Sequence, residues 1–182
     1  MARQVTATLF HSLDGVATDP NLWQFDAFDD GVMQVMIDSL ARTDATLMGR
    51  KTYEMWAPYW PTATDPFGDF INPVVKHVAS RTLTQDDLTW NNSHLIVGDL
   101  ADFVRGLKET EGGDIAVEGS LSVIRQLFLG GVLDRLTLIT HPVIAGAGEH
   151  LFTAETPTTQ LALLESFSTD KGNVVSTYAL RS

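Results

Sequence analysis

Short apolar runs alternate along this chain with segments in which apolar residues recur at helical spacing. Such runs predict strands, and a period of about 3.6 residues predicts helices that bury one face. The predicted strands cover residues 5–10, 45–48, 74–79, 94–97, 114–117 and 133–140. The predicted helices begin near Asp29, Asp99 and Ser120, and a short helical segment runs from Tyr53 to Trp56.

The last part of the chain has a different pattern. Residues 161–167 and 174–180 flank a turn at residues 170–173, which predicts an antiparallel hairpin. Because strands and helices alternate before it, we predict an α/β fold with a mostly parallel sheet and an antiparallel edge. Residues 57–73 contain four prolines, and we expect no regular structure there, because proline interrupts both helices and sheets.

Composition narrows the possible partners. A length of 182 residues fits a single domain, 1–182, and the absence of cysteine excludes a disulfide framework and a thiolate nucleophile. A formal net charge of -11 argues against nucleic acid, because binding to nucleic acid depends on neutralising phosphates. No stretch approaches the roughly 20 apolar residues of a membrane helix, so we expect a cytoplasmic protein with a small-molecule partner and no membrane contact. The five histidines are dispersed, and we predict no metal site.

A cluster of positive charge follows the second predicted strand, at Gly49, Arg50, Lys51 and Thr52. Cations are unfavourable at the start of a helix, where the backbone N–H groups are already electropositive, unless an anion binds beside them. Phosphate is the anion that helix N-termini commonly bind. A plain turn with two solvated cations is the alternative interpretation of these residues.

Two further strand ends carry residues of the same kind. Ser80, Arg81 and Thr82 follow the third strand, and Gly119 and Ser120 precede a predicted helix. Each turn alone could be a polar loop or a helix cap. Because ligands of open α/β sheets bind at the carboxyl ends of the strands, the three turns together predict a nucleotide-phosphate site.

Several motifs resemble, in order, those of the RibD C-terminal-domain family of dihydrofolate reductase-like proteins. They are Ser12-Leu13-Asp14-Gly15, Leu47-Met48-Gly49-Arg50-Lys51-Thr52-Tyr53-Glu54, Ser80-Arg81-Thr82-Leu83, Ile115-Ala116-Val117-Glu118-Gly119-Ser120, Gly131-Val132-Leu133-Asp134, Pro142-Val143 and Leu151-Phe152. The resemblance implies a three-layer sheet with helices on both faces, NADPH as the cofactor, and a homodimer.

The resemblance also implies roles for the three turns. Gly49, Arg50 and Thr52 would hold the NADPH phosphates, with Lys51 adding charge. The second turn, whose residues are Ser80, Arg81 and Thr82, would take the 2′-phosphate, and the third, at Gly119 and Ser120, the pyrophosphate. Glu118 departs from this scheme, because a carboxylate would repel a pyrophosphate unless its side chain points away.

The substrate is less defined than the cofactor. The resemblance implies a reductase that transfers hydride to a heterocycle, similar to 5-amino-6-(5-phosphoribosylamino)uracil reductase of riboflavin biosynthesis. However, residues 8–11 lack the lysine that those enzymes place before Ser-Leu-Asp-Gly to bind the substrate phosphate. A dihydrofolate, pteridine or carbonyl reductase, and a non-catalytic nucleotide-binding dimer of the same fold, remain as alternatives.

Four residues are candidates for the substrate side of the site. Asp29, near the start of the first long helix, would supply a proton, or would only stabilise the helix through its dipole. Ser12 and Asp14 would border the nicotinamide, although Asp14 could be only a turn residue. Trp23 would form a wall against a planar substrate, or pack in the core.

Overall fold

The computed structural model describes residues 3–181, and its strands form one eight-stranded sheet in the order β4-β3-β2-β5-β1-β6-β8-β7. The six strands β1 to β6 are parallel to one another, whereas β8 pairs antiparallel with both β6 and β7. The α/β prediction, with its antiparallel C-terminal hairpin, is therefore confirmed. The strands are β1 Val5–Ser12, β2 Thr43–Gly49, β3 Val75–Ala79, β4 Ser93–Leu95, β5 Asp114–Gly119, β6 Arg135–His141, β7 Leu161–Ser168 and β8 Val174–Leu180.

Helices lie on both faces of the sheet. They are α1 Pro20–Trp23, α2 Asp30–Arg42, α3 Arg50–Trp56, α4 Pro66–Ile71, α5 Leu100–Lys108 and α6 Leu121–Leu129, with short 3-10 helices at Trp60–Thr62 and Gln85–Asp87. Helices α5 and α6 pack with alternate residues of the central strands in the main core. We call this side the α6 face and the opposite side the α2 face.

The α2 face has two separate cores instead of one. Val32 of α2 packs with Ile139 and Val175, over β6 and β8. Met48 and Val78 pack with residues of α3 and α4, over β2 and β3. Between them, Thr6 and Thr8 of β1 belong to neither core, although Phe10 at the end of the same strand packs against the first one.

The prediction of no regular structure in residues 57–73 is wrong. Pro66 is the first residue of α4, where a missing N–H breaks no hydrogen bond, and Asp65 caps the helix by accepting from the Phe67 and Gly68 N–H groups. The four prolines in this segment obscured this start signal.

At the C-terminal end of α4, the buried Lys76 donates from Nζ to the carbonyls of Ile71, Asn72 and Val74.

Candidate functional site

The three turns singled out in the sequence lie side by side at one edge of the sheet. Strands β3, β2 and β5 are neighbours, with Gly49 paired to Ala79 and Met48 paired to Gly119. Because all three strands are parallel, their carboxyl ends meet at the same edge. The turn of residues 49–52, the turn of residues 80–82 and the turn of residues 119–120 thus form a continuous rim.

Two glycines allow two of these turns to touch. A Cβ added to Gly49 would lie 2.9 Å from the Ser120 Oγ and 3.3 Å from the Ser120 N. A Cβ added to Gly119, whose φ is +136°, would lie 2.8 Å from the Thr52 Oγ1. A side chain at either position would therefore force the turns apart. The Gly119–Ser120 peptide bond between them is cis.

The N-terminus of α6 offers hydrogen-bond donors at this rim. Ser120 is the N-cap residue, but its side chain makes no cap hydrogen bond and instead lies 2.9 Å from the Ser122 hydroxyl. The first N–H groups of the helix are therefore not satisfied by the cap side chain, which is the arrangement that binds phosphate oxygens. The small residues Gly49 and Gly119 leave space, and the N–H groups at the start of α6 provide donors, which together suit a pyrophosphate.

The cations of the rim differ in their surroundings. The Arg50 guanidinium is exposed and bound to the Glu54 carboxylate at 2.8 Å, so part of its charge is already compensated. Lys51 and Arg81 are exposed, and neither forms an ion pair within the described part of the chain. The Ser80 Oγ accepts from the N–H groups of Thr82 and Leu83 and so fixes the turn that carries Arg81.

We call the region of the α2 face between the two cores, over Thr6 and Thr8 of β1 and Glu118 of β5, the cleft. In β1, Val5 and Ala7 point into the main core and are 0% and 2% exposed. The alternate residues Thr6 and Thr8 are partly exposed, although β1 lies between two other strands. The core under α2 lies on one side of this region, and the core under α3 and α4 lies on the other.

Glu118 contributes the ionisable side chain on the floor of the cleft. Val117 points into the main core, and the register of β5 against β2 shifts after it, so that Glu118 has no partner residue in β2. From the alternation of side chains along the strand we infer that Glu118 points to the α2 face, away from α6. Although Glu118 is partly exposed, burial raises the pKa of its carboxyl to about 7. It can therefore hold a proton at neutral pH. A lone carboxyl directly after the apolar run 115–117 is the sequence signal for this role, which we interpreted only as a charge conflict.

Asp29 has a structural role. It is the N-cap of α2: its carboxylate accepts from the Val32 and Lys171 N–H groups, each at 2.9 Å. Partial desolvation would raise the pKa of Asp29, but hydrogen bonds from Thr169, Val32, Lys171 and Asn173 outweigh it and hold the pKa below its usual value. An acid that stays ionised is a poor proton donor, and the structure favours the alternative that Asp29 is a helix cap.

Replacing Asp29 with alanine should therefore reduce stability without slowing turnover. We expect a loss of about 1–2 kcal/mol in the free energy of unfolding at pH 7, because a cap is removed. Since the folded-state pKa is lowered, this loss should shrink as the pH falls through that pKa. Urea denaturation from pH 7 to pH 3 measures it, with Asp38→Ala on the same helix as the control. A fall in kcat at unchanged stability would restore Asp29 as a catalytic candidate.

Ser12 and Asp14 hold a loop together. Ser12 is buried; its hydroxyl donates to the Asp14 carboxylate and accepts from the Val16 N–H. Asp14 also accepts from the N–H groups of Ala145 and Gly146, so these bonds, with the Ser12 bond the strongest, lower its pKa to about 2. The structure thus joins the loop after β1 to the loop after β6, and a substrate role for either residue stays a prediction.

The structure favours the interpretation in which Trp23 packs in the core. It is 6% exposed, its indole N–H donates to the Thr18 carbonyl, and its ring meets His141 edge-on at 5.8 Å. His141 donates from Nδ1 to the Asn173 Oδ1 at 2.6 Å, because the Asn173 amide group donates to the Ala27 carbonyl. The His141 Nε2 then accepts from Gln24. This network fixes the segment between β1 and α2, and sequence spacing gave no indication of it.

Other features of the molecule lie outside the cleft. A separate cavity of about 310 Å³ lies beside β1 and β6 and includes His11, Asp14 and His150 in its lining. Residues 3–181 bring together no group of three or more histidine or acidic side chains suited to a metal ion. None of the helices described is long and apolar enough to cross a membrane.

The strand order and the helices on both faces define a dihydrofolate reductase-like α/β fold, as we predicted. The family model of the RibD C-terminal domain matches residues 3–175. The chain therefore belongs to the RibD C-terminal domain family.

The chain is also similar to individual known proteins. The uncharacterized protein YyaP of Bacillus subtilis is 32% identical over 120 residues, which cover 63% of this chain and 62% of that protein. The structure of a putative riboflavin biosynthesis protein from Shewanella sp. PV-4 matches with a TM-score of 0.76 at 20% identity, over 100% of both chains. A pyrimidine reductase-like protein from Corynebacterium diphtheriae matches with a TM-score of 0.70 at 19% identity, over 99% of this chain and 92% of that one.

Proposed function

We propose that this protein is an NADPH-dependent reductase that acts on a heterocyclic substrate in the cleft between α2 and α3. The proposal rests on two features that lie next to each other at the end of β5. The glycine-lined turn at Gly119 is suited to a pyrophosphate, and Glu118, the preceding residue, is a protonatable carboxyl on the cleft floor. Membership of the RibD C-terminal domain family supports the reductase assignment.

The residues of the rim would hold the cofactor. Gly49, Thr52 and Gly119 leave room for the pyrophosphate, and the α6 N–H groups with Ser120 would donate to its oxygens. Lys51 adds positive charge beside them. Arg81, on the turn ordered by Ser80, would bind the adenosine 2′-phosphate, which NADH lacks.

Reduction of a C=N or C=O bond needs a hydride at carbon and a proton at the heteroatom. Bound NADPH would supply the hydride. Glu118 would supply the proton, because its raised pKa keeps a fraction of the carboxyl protonated at neutral pH. The protein would position the two groups next to each other at the carboxyl end of β5.

The direct test is NADPH oxidation, followed at 340 nm, with pteridines, aminouracils and simple carbonyl compounds. Oxidation that depends on both enzyme and substrate is expected. NADPH binding without turnover of any compound would contradict the reductase and indicate a non-catalytic nucleotide-binding protein. The homodimer and the cytoplasmic location, inferred from the resemblance and the composition, stay part of the proposal.

Arg81→Ala should weaken the binding of NADPH far more than the binding of NADH. A charge-assisted contact to phosphate contributes about 1.5–3 kcal/mol, so we expect the Kd for NADPH to rise about 10- to 100-fold. The Kd for NADH should change less than about twofold, because the 2′-phosphate is absent. Fluorescence titration with both cofactors measures this, with the exposed Arg181→Ala as the control. Equal losses for the two cofactors would contradict the assignment of Arg81.

A further inference from the structure

The two flanks of α2 face different parts of the molecule. A Cβ added to Gly31 would lie 2.8 Å from the Thr169 side chain, so this flank faces the turn between β7 and β8. At 100° per residue, Met33, Met36 and Leu40 lie on the opposite flank. That flank faces back over β1 and β5, and Met33 is 44% exposed there. The α2 wall of the cleft is therefore apolar.

The floor of the cleft carries hydroxyl groups and a single carboxyl. Strands β1 and β5 pair with Val5 opposite Ile115 and Thr6 opposite Ala116, and beyond these pairs we place Thr8 beside Glu118 by strand alternation. Thr8 follows the core residue Ala7, so its side chain points to the α2 face, and both Thr8 and Glu118 are partly exposed. A ring lying on this floor would meet a hydroxyl group and a protonatable carboxyl at its polar edge.

Positive charge is absent from this floor and from the apolar flank of α2. All 12 lysines and arginines of the chain lie within the described residues. Of those on the elements around the cleft, Arg50 is paired with Glu54, Lys51 is exposed among the proposed cofactor residues of the rim, and Lys76 is buried against three carbonyls. Lys171 is bound to the Asp26 backbone carbonyl. The carboxylate of Asp29, at the start of α2, adds negative charge.

We infer that the cleft selects an uncharged planar ring without a phosphate group. Its face would pack on the flank of Met33, Met36 and Leu40, and its polar edge would bond to Thr8 and Glu118. A substrate phosphate would be desolvated beside carboxyl groups with no cation to compensate it, which is unfavourable. The inference rests on the proposed function for the identity of the cleft as the substrate site.

Matched pairs of compounds test this selection by binding, without reference to turnover. One pair is 5-amino-6-ribosylaminouracil and its 5′-phosphate, and the other is 6-hydroxymethylpterin and its phosphate. Each compound is titrated calorimetrically into the protein in the presence of excess NADP+, which cannot donate a hydride. We expect at least one uncharged compound to bind about tenfold or more tightly than its phosphate, since a lone charge is rejected.

Thr8→Lys should reverse the preference, because it introduces an ammonium group opposite Glu118. We expect the phosphorylated member to gain about tenfold or more in affinity, whereas Thr8→Ser, the control, keeps the wild-type order. Thermal melting of both variants checks folding. If Thr8→Lys does not fold, the affinities of the wild-type protein for the two members of each pair still test the inference.

The outcomes separate this inference from the proposed function. Tighter binding of a phosphorylated compound by the wild type, or no binding of either uncharged compound, overturns the inference. Preferential binding of an uncharged compound without NADPH oxidation supports the selection and contradicts the reductase. NADPH oxidation that prefers the phosphorylated compound supports the reductase and overturns the selection.

Discussion

Replacing Glu118 with glutamine is expected to lower kcat by about 10²- to 10⁴-fold, the range that general acid catalysis contributes. Glutamine keeps the size and polarity of the side chain but cannot release a proton to the substrate. The side chain points to the α2 face, away from α6, so the Kd for NADPH should stay unchanged. Glu165→Gln, on the exposed strand β7, is the matched control and should retain full activity.

The pH dependence gives this prediction a second readout. Because burial raises the pKa of Glu118 to about 7, wild-type activity should fall as the pH rises through 7 and the proton is lost. The residual activity of Glu118→Gln should lack this fall. The raised pKa also means that ionisation destabilises the folded protein, so wild-type stability should decrease relative to the variant between pH 4.5 and 7. A variant with wild-type kcat at every pH would exclude Glu118 as the proton donor.

Gly119→Ala is expected to raise the Kd for NADPH about 10- to 100-fold. The residue has a φ of +136°, which a side chain disfavours, and its added Cβ would meet the Thr52 Oγ1 at 2.8 Å. The strain of such a conformation is about 1–3 kcal/mol, and it would be relieved by moving the turn that approaches the pyrophosphate.

Gly106→Ala is the matched control for this variant. Gly106 lies in α5, and an added Cβ there has no atom within 4 Å. Alanine favours a helix interior, so this control should keep wild-type affinity for NADPH with stability equal to or above wild type. Fluorescence titration measures the affinity of both variants for NADPH. Wild-type affinity in Gly119→Ala would show that NADPH binding does not depend on the close approach of the two turns.

The sequence was sufficient for the fold and for the rim of the site because both depend on local patterns. Short apolar runs marked the parallel strands, and Gly49 and Gly119 marked the places where strands end in tight turns. Parallel strands that end at one edge then bring the turns together, whatever the details of packing. The helix α4 was missed because four prolines outweighed one start signal, Asp65 followed by Pro66.

The cleft could not be predicted in the same way. It depends on α2 packing over β6 and β8 while α3 and α4 pack over β2 and β3, and no local pattern tells over which strands a helix will pack. The pKa of Glu118 depends on that packing, and so does the network that holds Asp29 as a cap. The packing is therefore what makes Glu118 the proposed proton donor and favours a capping role for Asp29.

The most direct measurement is a titration of the wild-type protein with NADPH and, in parallel, with NADH. We predict saturable binding of NADPH with a Kd well below 1 mM, corresponding to more than about 4 kcal/mol, and weaker binding of NADH. No binding of NADPH at millimolar concentration, by a protein shown to be folded, would contradict the assignment of the three turns as a cofactor site.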